Sequence, residues 1–359
     1  MKLPPLPKVE HHTLVIAGGT VLCLLLIYVI GFSNVFAVEY KRDGANKDSL
    51  ADKVAAAIAP KFDAAEYDKK LIANANYAST TSTTTPRLWP AKAPYPKEGA
   101  LLPYKRIIAY YGNFYSTKMG VLGEYPPEVM LPKLKAEIAK WNAADPSTPA
   151  IPAINYIAMT AQESPGRDGK YRFRMPDEHM DRAVALAEQV DGIVILDIQV
   201  GLSTLQEELP LMEKYLSMPN VHLAVDPEFS MKGGEAPGTV IGTFSSTDIN
   251  YAISYLSKLV QEHDLPPKVL VIHRFTQRMV TGYENINPTP EVQVIMDMDG
   301  WGPPAKKLNT YQQFIASEPV QFTGFKIFYK NDLKPPSTRL LTPEELLKLT
   351  PQPLFIQFQ

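Results

Sequence analysis

Three apolar runs in this chain each finish in polar groups two residues apart. Ile193 to Gln199 ends in Asp197 and Gln199, Val221 to Glu228 in Asp226 and Glu228, and Val292 to Asp299 in Asp297 and Asp299. Side chains two apart on a strand share a face, so each run delivers its pair to one side at one end. Carboxylates around a common mouth raise one another's pKa, which keeps an acid protonated near neutral pH. One such acid as proton donor, with a second carboxylate as nucleophile, base or stabiliser, is the equipment for hydrolysing a glycosidic bond. Glu228, outermost on its run, is the predicted donor, with Asp226 orienting it or sharing its proton. Asp297 and Asp299 are the predicted partners across the mouth, and Asp197 completes the acidic set.

Trp301 follows Asp299-Gly300 and, like Tyr111, could stack on a sugar ring. Asn113, Gln199, His273 and Arg274 stand at strand ends and are expected to contact substrate. Lys326 falls mid-strand facing inward, where a buried lysine needs a carboxylate partner. A blander role competes at each place: a strand-end Asp often caps a helix or ties down a loop, and a lone His is often a wall residue. The segments 162–174 and 230–242 read as walls or lids of a cleft. The second is glycine-rich but lacks the Lys-Ser/Thr ending of a phosphate loop. A metal-dependent hydrolase using Asp226, His273 and Asp297 is a third reading. Neither a His-x-His pair on the first strand nor a helical His-Glu-x-x-His supports it. The expectation is therefore no metal and no cofactor.

The elements that must position these groups begin at Leu101. Eight strand candidates follow: Arg106–Gly112, 151–160, 192–200, 221–228, 268–275, 292–299, 322–330 and 354–358. Helical patterns separate them at 127–141, 180–190, 203–215 (with a Ser203…Gln206 capping box), 246–262, 306–316 and 343–349. Strands buried on both faces explain the continuous apolar lead-ins. Strand–helix alternation argues for a parallel sheet, and eight strands in roughly 250 residues match a (β/α)8 TIM-type barrel. In such a barrel the chemistry sits at the C-terminal strand ends. An open doubly wound sheet is the alternative, but no glycine-rich phosphate turn follows the first strand.

Ahead of residue 101 the composition changes. Leu14 to Phe32 is almost wholly apolar and long enough to span a bilayer. Residues 13–38 are thus expected to be a transmembrane signal anchor, with 1–12 as a cytoplasmic tail and the bulk of the chain exported. Val35-Phe-Ala37 offers a signal-peptidase site as the competing reading, although the apolar run exceeds the usual signal core. Residues 39–100, with a helix at 64–75 and a Ser/Thr/Pro tract, read as a stalk without a packed core. The only cysteine, Cys23, lies in the apolar segment, so the remainder has no disulfide, thiolate nucleophile or Cys-type zinc site. A formal charge of −2 without a basic stripe gives no support to nucleic-acid binding.

From about Arg106 onward the chain resembles exported bacterial barrel proteins related to glycoside hydrolases. The segments that carry the resemblance are Ala109-Tyr-Tyr-Gly-Asn113, Ser164-Pro-Gly-Arg-Asp-Gly169, Leu196-Asp-Ile-Gln199 and Ala224-Val-Asp-Pro-Glu228. The last is similar to the tail of the chitinase motif Asp-x-x-Asp-x-Asp-x-Glu, whose final Glu protonates the leaving oxygen while the Asp two before it assists. The resemblance assigns those roles to Glu228 and Asp226, but Val221 and Ala224 stand where the earlier acids belong. Together with the apolar segment and the acidic strand ends, it gives the expectation of a membrane-anchored hydrolase acting on extracellular polysaccharide or peptidoglycan. A non-catalytic glycan-binding or envelope-scaffold barrel is the alternative.

Overall fold

A computed structural model describes residues 62–77 and 86–359. The expected tail at 1–12, the signal anchor at 13–38 and residues 39–61 and 78–85 of the expected stalk lie outside the described residues. Among the described residues no helix is long and apolar enough to cross a membrane.

Eight strands are arranged in chain order: β1 Arg106–Gly112, β2 Ala150–Ala161, β3 Ile193–Ile198, β4 Val221–Val225, β5 Lys268–Arg274, β6 Val292–Met298, β7 Phe322–Ile327 and β8 Phe355–Phe358. Each pairs in parallel with the next, and β8 pairs back onto β1 (Ile107 opposite Phe355), so the sheet closes into a barrel. With helices around it, the architecture is consistent with a (β/α)8 barrel. The runs at 221–228 and 322–330 leave the sheet sooner than expected. After Val225 the Asp226 side chain caps a 3-10 turn, Pro227–Phe229, which lifts Glu228 off the strand.

The main helices are α1 Ala64–Ala75, α2 Pro127–Ala144, α3 Asp177–Glu188, α4 Ser246–His263 and α5 Pro304–Tyr311, the last running on as a π turn through Ala316. α4 follows its sequence pattern closely. Ser245 and Asp248 form a capping box, and Ile249, Ala252, Ile253, Leu256, Leu259 and Val260 are all buried. The expected helix 203–215 is instead three short pieces, with the 3-10 turn Leu209–Met212 between Leu205–Glu208 and Glu213–Leu216. Pro210 supplies no N–H for a continuous helix. Thr204, not Ser203, is the cap, and the Ser203 hydroxyl donates to Glu207 and Glu208.

Period-two alternation divides the apolar side chains between two cores. One lies between strands and helices. The other fills the barrel, with Ile107, Ala109, Ile195, Ala224, Val271 and Ile295 in contact. The second core corrects the reading of 39–100 as a stalk. Tyr67 of α1 and Leu102 join it at the N-terminal mouth of the barrel, where they are 3% and 0% exposed. Gln293, inside β6, accepts from the Leu102 N–H (3.0 Å) and donates to its carbonyl (2.7 Å). Further along, Trp89 is buried and donates its indole N–H to the Ala316 carbonyl. The described part of this segment is therefore the floor of the barrel. A few large apolar groups in a polar background suffice, since burying one such ring stabilises by about 2–3 kcal/mol.

Candidate active site

Above the apolar layer, the next inward position on each strand turns polar and stays buried: Tyr111, Asn155, Asp197, His273, Asp297, Lys326 and Gln357, with Asp226 just beyond β4. His273 stands among the acids. Its Nε2 is 2.9 Å from Asp197 Oδ2, and its Nδ1 is 3.1 Å from Asp297 and 3.4 Å from Asp299. Burial opposes its charged form, but the carboxylates around it, Asp197 foremost, hold the imidazole well above its ordinary range. Lys326 finds the partner its burial demands: its ammonium lies 2.9 Å from Asp299 Oδ1 and 4.0 Å from the centre of the Tyr111 ring. Gly324 on β7 makes the arrangement fit, since a Cβ there would come within 2.5 Å of Asp297 Oδ1. Asn155 and Gln357 bond to each other on the far side of the layer (2.8 Å).

This layer is the floor of an open cleft of about 480 Å³ at the C-terminal mouth, lined among others by Tyr111, Gln199, Asp226, Glu228, Asp299 and Trp301. Asp226 Oδ1 accepts the backbone N–H of Glu228 at 3.0 Å, fixing where the turn presents the glutamate. Burial and then the Asp299 charge push the Glu228 carboxyl up to about 7, with Lys326 and His273 pulling the other way. Burial also raises Asp226 well above the carboxylate range; His273 opposes this, while Asp197, Asp299 and Glu228 add to it. Burial raises Asp297 too, despite its bond to His273. The cleft thus holds a partly exposed acid that keeps its proton to near neutral pH, beside a carboxylate paired with an ammonium.

The expected site residues divide into three groups. Asp226, Glu228, Asp299, Tyr111, Gln199 and Trp301 line the cleft. Asp197, Asp297 and His273 are wholly buried beneath it and can act only through the groups above them. Two expectations fail. Asn113 is fully buried, its Oδ1 accepting the Tyr115 N–H at 2.6 Å, and it ties down the turn after β1. Arg274 follows His273 on β5 and so faces out of the barrel, where it donates to the carbonyls of Thr276, Gln277 and Phe314 and pairs with Glu318. Tyr111 is built into the wall at 4% exposure, with the His273 ring edge-on to it. Lys118, Phe229, Phe275, Lys306 and Phe328 also line the cleft and were not singled out from the sequence. Their common signal is position: each lies beyond the C-terminal end of a strand, in the loop, turn or first helical turn that follows.

Among the described residues no group of three or more His, Cys, Asp or Glu side chains could hold a metal ion. No protein-family model matches the sequence, and no curated protein matches it significantly. Solved structures do match. One of them, the crystal structure of a ruminal GH26 endo-beta-1,4-mannanase, is similar over 71% of this chain and 59% of that chain, at 12% identity and a TM-score of 0.32. The chain thus spans less than two thirds of that protein, and a likeness this distant carries no inference about activity.

Proposed function

We propose that this protein is a hydrolase of glycosidic bonds, held at the membrane by segment 13–38 and acting on extracellular or cell-wall polysaccharide. The observation that carries the reading is Glu228, a carboxyl in an open cleft pushed up to about 7 by burial and by Asp299. Cleavage of a glycosidic bond needs an acid still protonated at working pH, to protonate the departing oxygen, and a carboxylate to meet the positive charge developing on the sugar. Glu228 takes the first role and Asp299, ion-paired with Lys326, the second. Asp226 orients the donor through its backbone N–H. His273 is a positioning residue that holds Asp197, Asp297 and Asp299 together.

The test is release of reducing ends from peptidoglycan and from a panel of polysaccharides by the full-length protein in detergent. Residues 62–100 belong to the fold, so a fragment cut at 101 is not a fair substitute. Turnover that falls at least a thousandfold in Glu228→Gln supports the reading. Glycan binding without turnover, unaltered by Glu228→Gln, would leave a binding or scaffold barrel instead.

A further inference from the structure

Trp301 is 47% exposed at the rim of the cleft, which by itself suits a platform for sugar rings. Its surroundings alter that picture. The ammonium groups of Lys306 and Lys334 stand 5.2 and 5.1 Å from its ring centre. Lys118, from the loop after β1, lines the same cleft as Trp301 and Lys306. Among the described residues, none of these three lysines has a carboxylate within 4.0 Å, whereas Lys326 and Lys330 are paired with Asp299 and Glu124.

The cluster is held in place from below. Asp332, 3% exposed in the loop after β7, accepts the Gly302 N–H at 2.9 Å and the Phe328 N–H at 2.9 Å, and it also pairs with the buried Lys307. Lys307 in turn donates to the Lys326 carbonyl at 2.6 Å. This buried staple joins the connection after β6, which carries Trp301 and leads into the first turn of α5 with Lys306, to the loop after β7, which carries Lys334. The indole and its two cations are therefore presented by a fixed frame rather than by free surface loops. A neutral sugar stacking on this ring would compete with an ammonium ion for it. A sugar bearing an anionic group would instead leave the cations where they are and pair with them.

We propose that the Trp301–Lys306–Lys334 cluster, with Lys118 on the same cleft, binds a polysaccharide that carries anionic groups. This rests on the proposed action on glycans and narrows it to acidic ones. Carboxylate-bearing sugars and phosphodiester-linked polymers share the required chemistry, and the experiment separates them.

Full-length Glu228→Gln protein, which cannot turn over under that reading, is titrated in detergent with polygalacturonate, with a ribitol teichoic acid and with neutral galactomannan. Binding to one or both anionic polymers is expected, at least tenfold tighter than to galactomannan and weakened by salt. Lys306→Gln and Lys118→Gln should each weaken it roughly tenfold, the loss of one charged hydrogen bond. Lys135→Gln, away from the cleft, should leave it unchanged. Equal or tighter binding to galactomannan, no binding to either anionic polymer, or indifference to Lys306→Gln and Lys118→Gln would overturn the proposal. Failure here is separable from failure of the hydrolase reading. Wild-type cleavage of a neutral glycan would sustain the chemistry and refute the anionic specificity, while tight anion binding without turnover would do the reverse.

Discussion

Replacing Glu228 by Gln keeps the shape of the side chain and removes its charge, so its effect on stability measures what the cleft does to that carboxyl. The ordinary value is 4.5 and the folded one about 7. A carboxyl whose pKa is higher folded than unfolded costs nothing while both states are protonated. The cost grows as the pH rises from 4.5 to about 7 and is complete above. At about 1.4 kcal/mol per tenfold, the full difference is about 3 kcal/mol, and screening through the open side of the cleft reduces it to about 2 kcal/mol. Glu228→Gln should therefore stabilise the protein by about 2 kcal/mol at pH 8.5, or roughly 3 °C in Tm, and by almost nothing at pH 4. Urea or thermal unfolding at the two pH values reads the difference directly. A gain equal at both pH values, or a loss at pH 8.5, would refute the reasoning, because the burial and the Asp299 repulsion would then not be acting on Glu228.

Three further perturbations probe the frame around the cleft. His273→Gln removes the group between Asp197 and Asp297 and should cost roughly 3–5 kcal/mol in denaturant unfolding. The folded pKa of His273 is raised, so its contribution is full below the ordinary imidazole value and fades as the pH climbs through the folded one. Lys268, buried at the start of β5, donates to the Met218 and Val221 carbonyls, and burial pushes it down to about 7. Lys268→Met should stabilise at pH 6 by about 2 kcal/mol, burial relieved less the carbonyl bonds lost, with the gain fading from about pH 7 to about pH 10 as the wild-type lysine ceases to be charged in the unfolded chain. Tyr67→Ala, which opens the floor of the barrel, should lose about 3–4 kcal/mol by the same unfolding assay.

Much of the frame is legible in the sequence because strands of a closed parallel sheet are bounded by apolar runs, and their inward faces repeat every second residue. That parity by itself assigns Asp197, Asp226, His273, Asp297 and Lys326 to one inward-facing layer, and all five are buried there. It also contains the correction at Arg274, since two neighbours on β5 cannot both face the barrel axis. Asn113 eludes parity because it lies past the end of β1, where a turn rather than a strand aims its side chain. The floor made by residues 62–77 and 86–100 eludes composition. Only isolated residues such as Tyr67, Ala75 and Trp89 are buried there, among polar groups that look like a linker. The lysines around Trp301 come together from the loop after β1, the first turn of α5 and the loop after β7 only once the barrel closes, so no local spacing announces the set.

The proposed chemistry depends most directly on the protonation of Glu228. Carboxyl ¹³C NMR titration of Glu-labelled full-length protein in detergent, with the resonance assigned by its absence in Glu228→Gln, measures it. A midpoint near 7 that drops in Asp299→Asn is the expected result. A midpoint near 4.5, unmoved by Asp299→Asn, would contradict it.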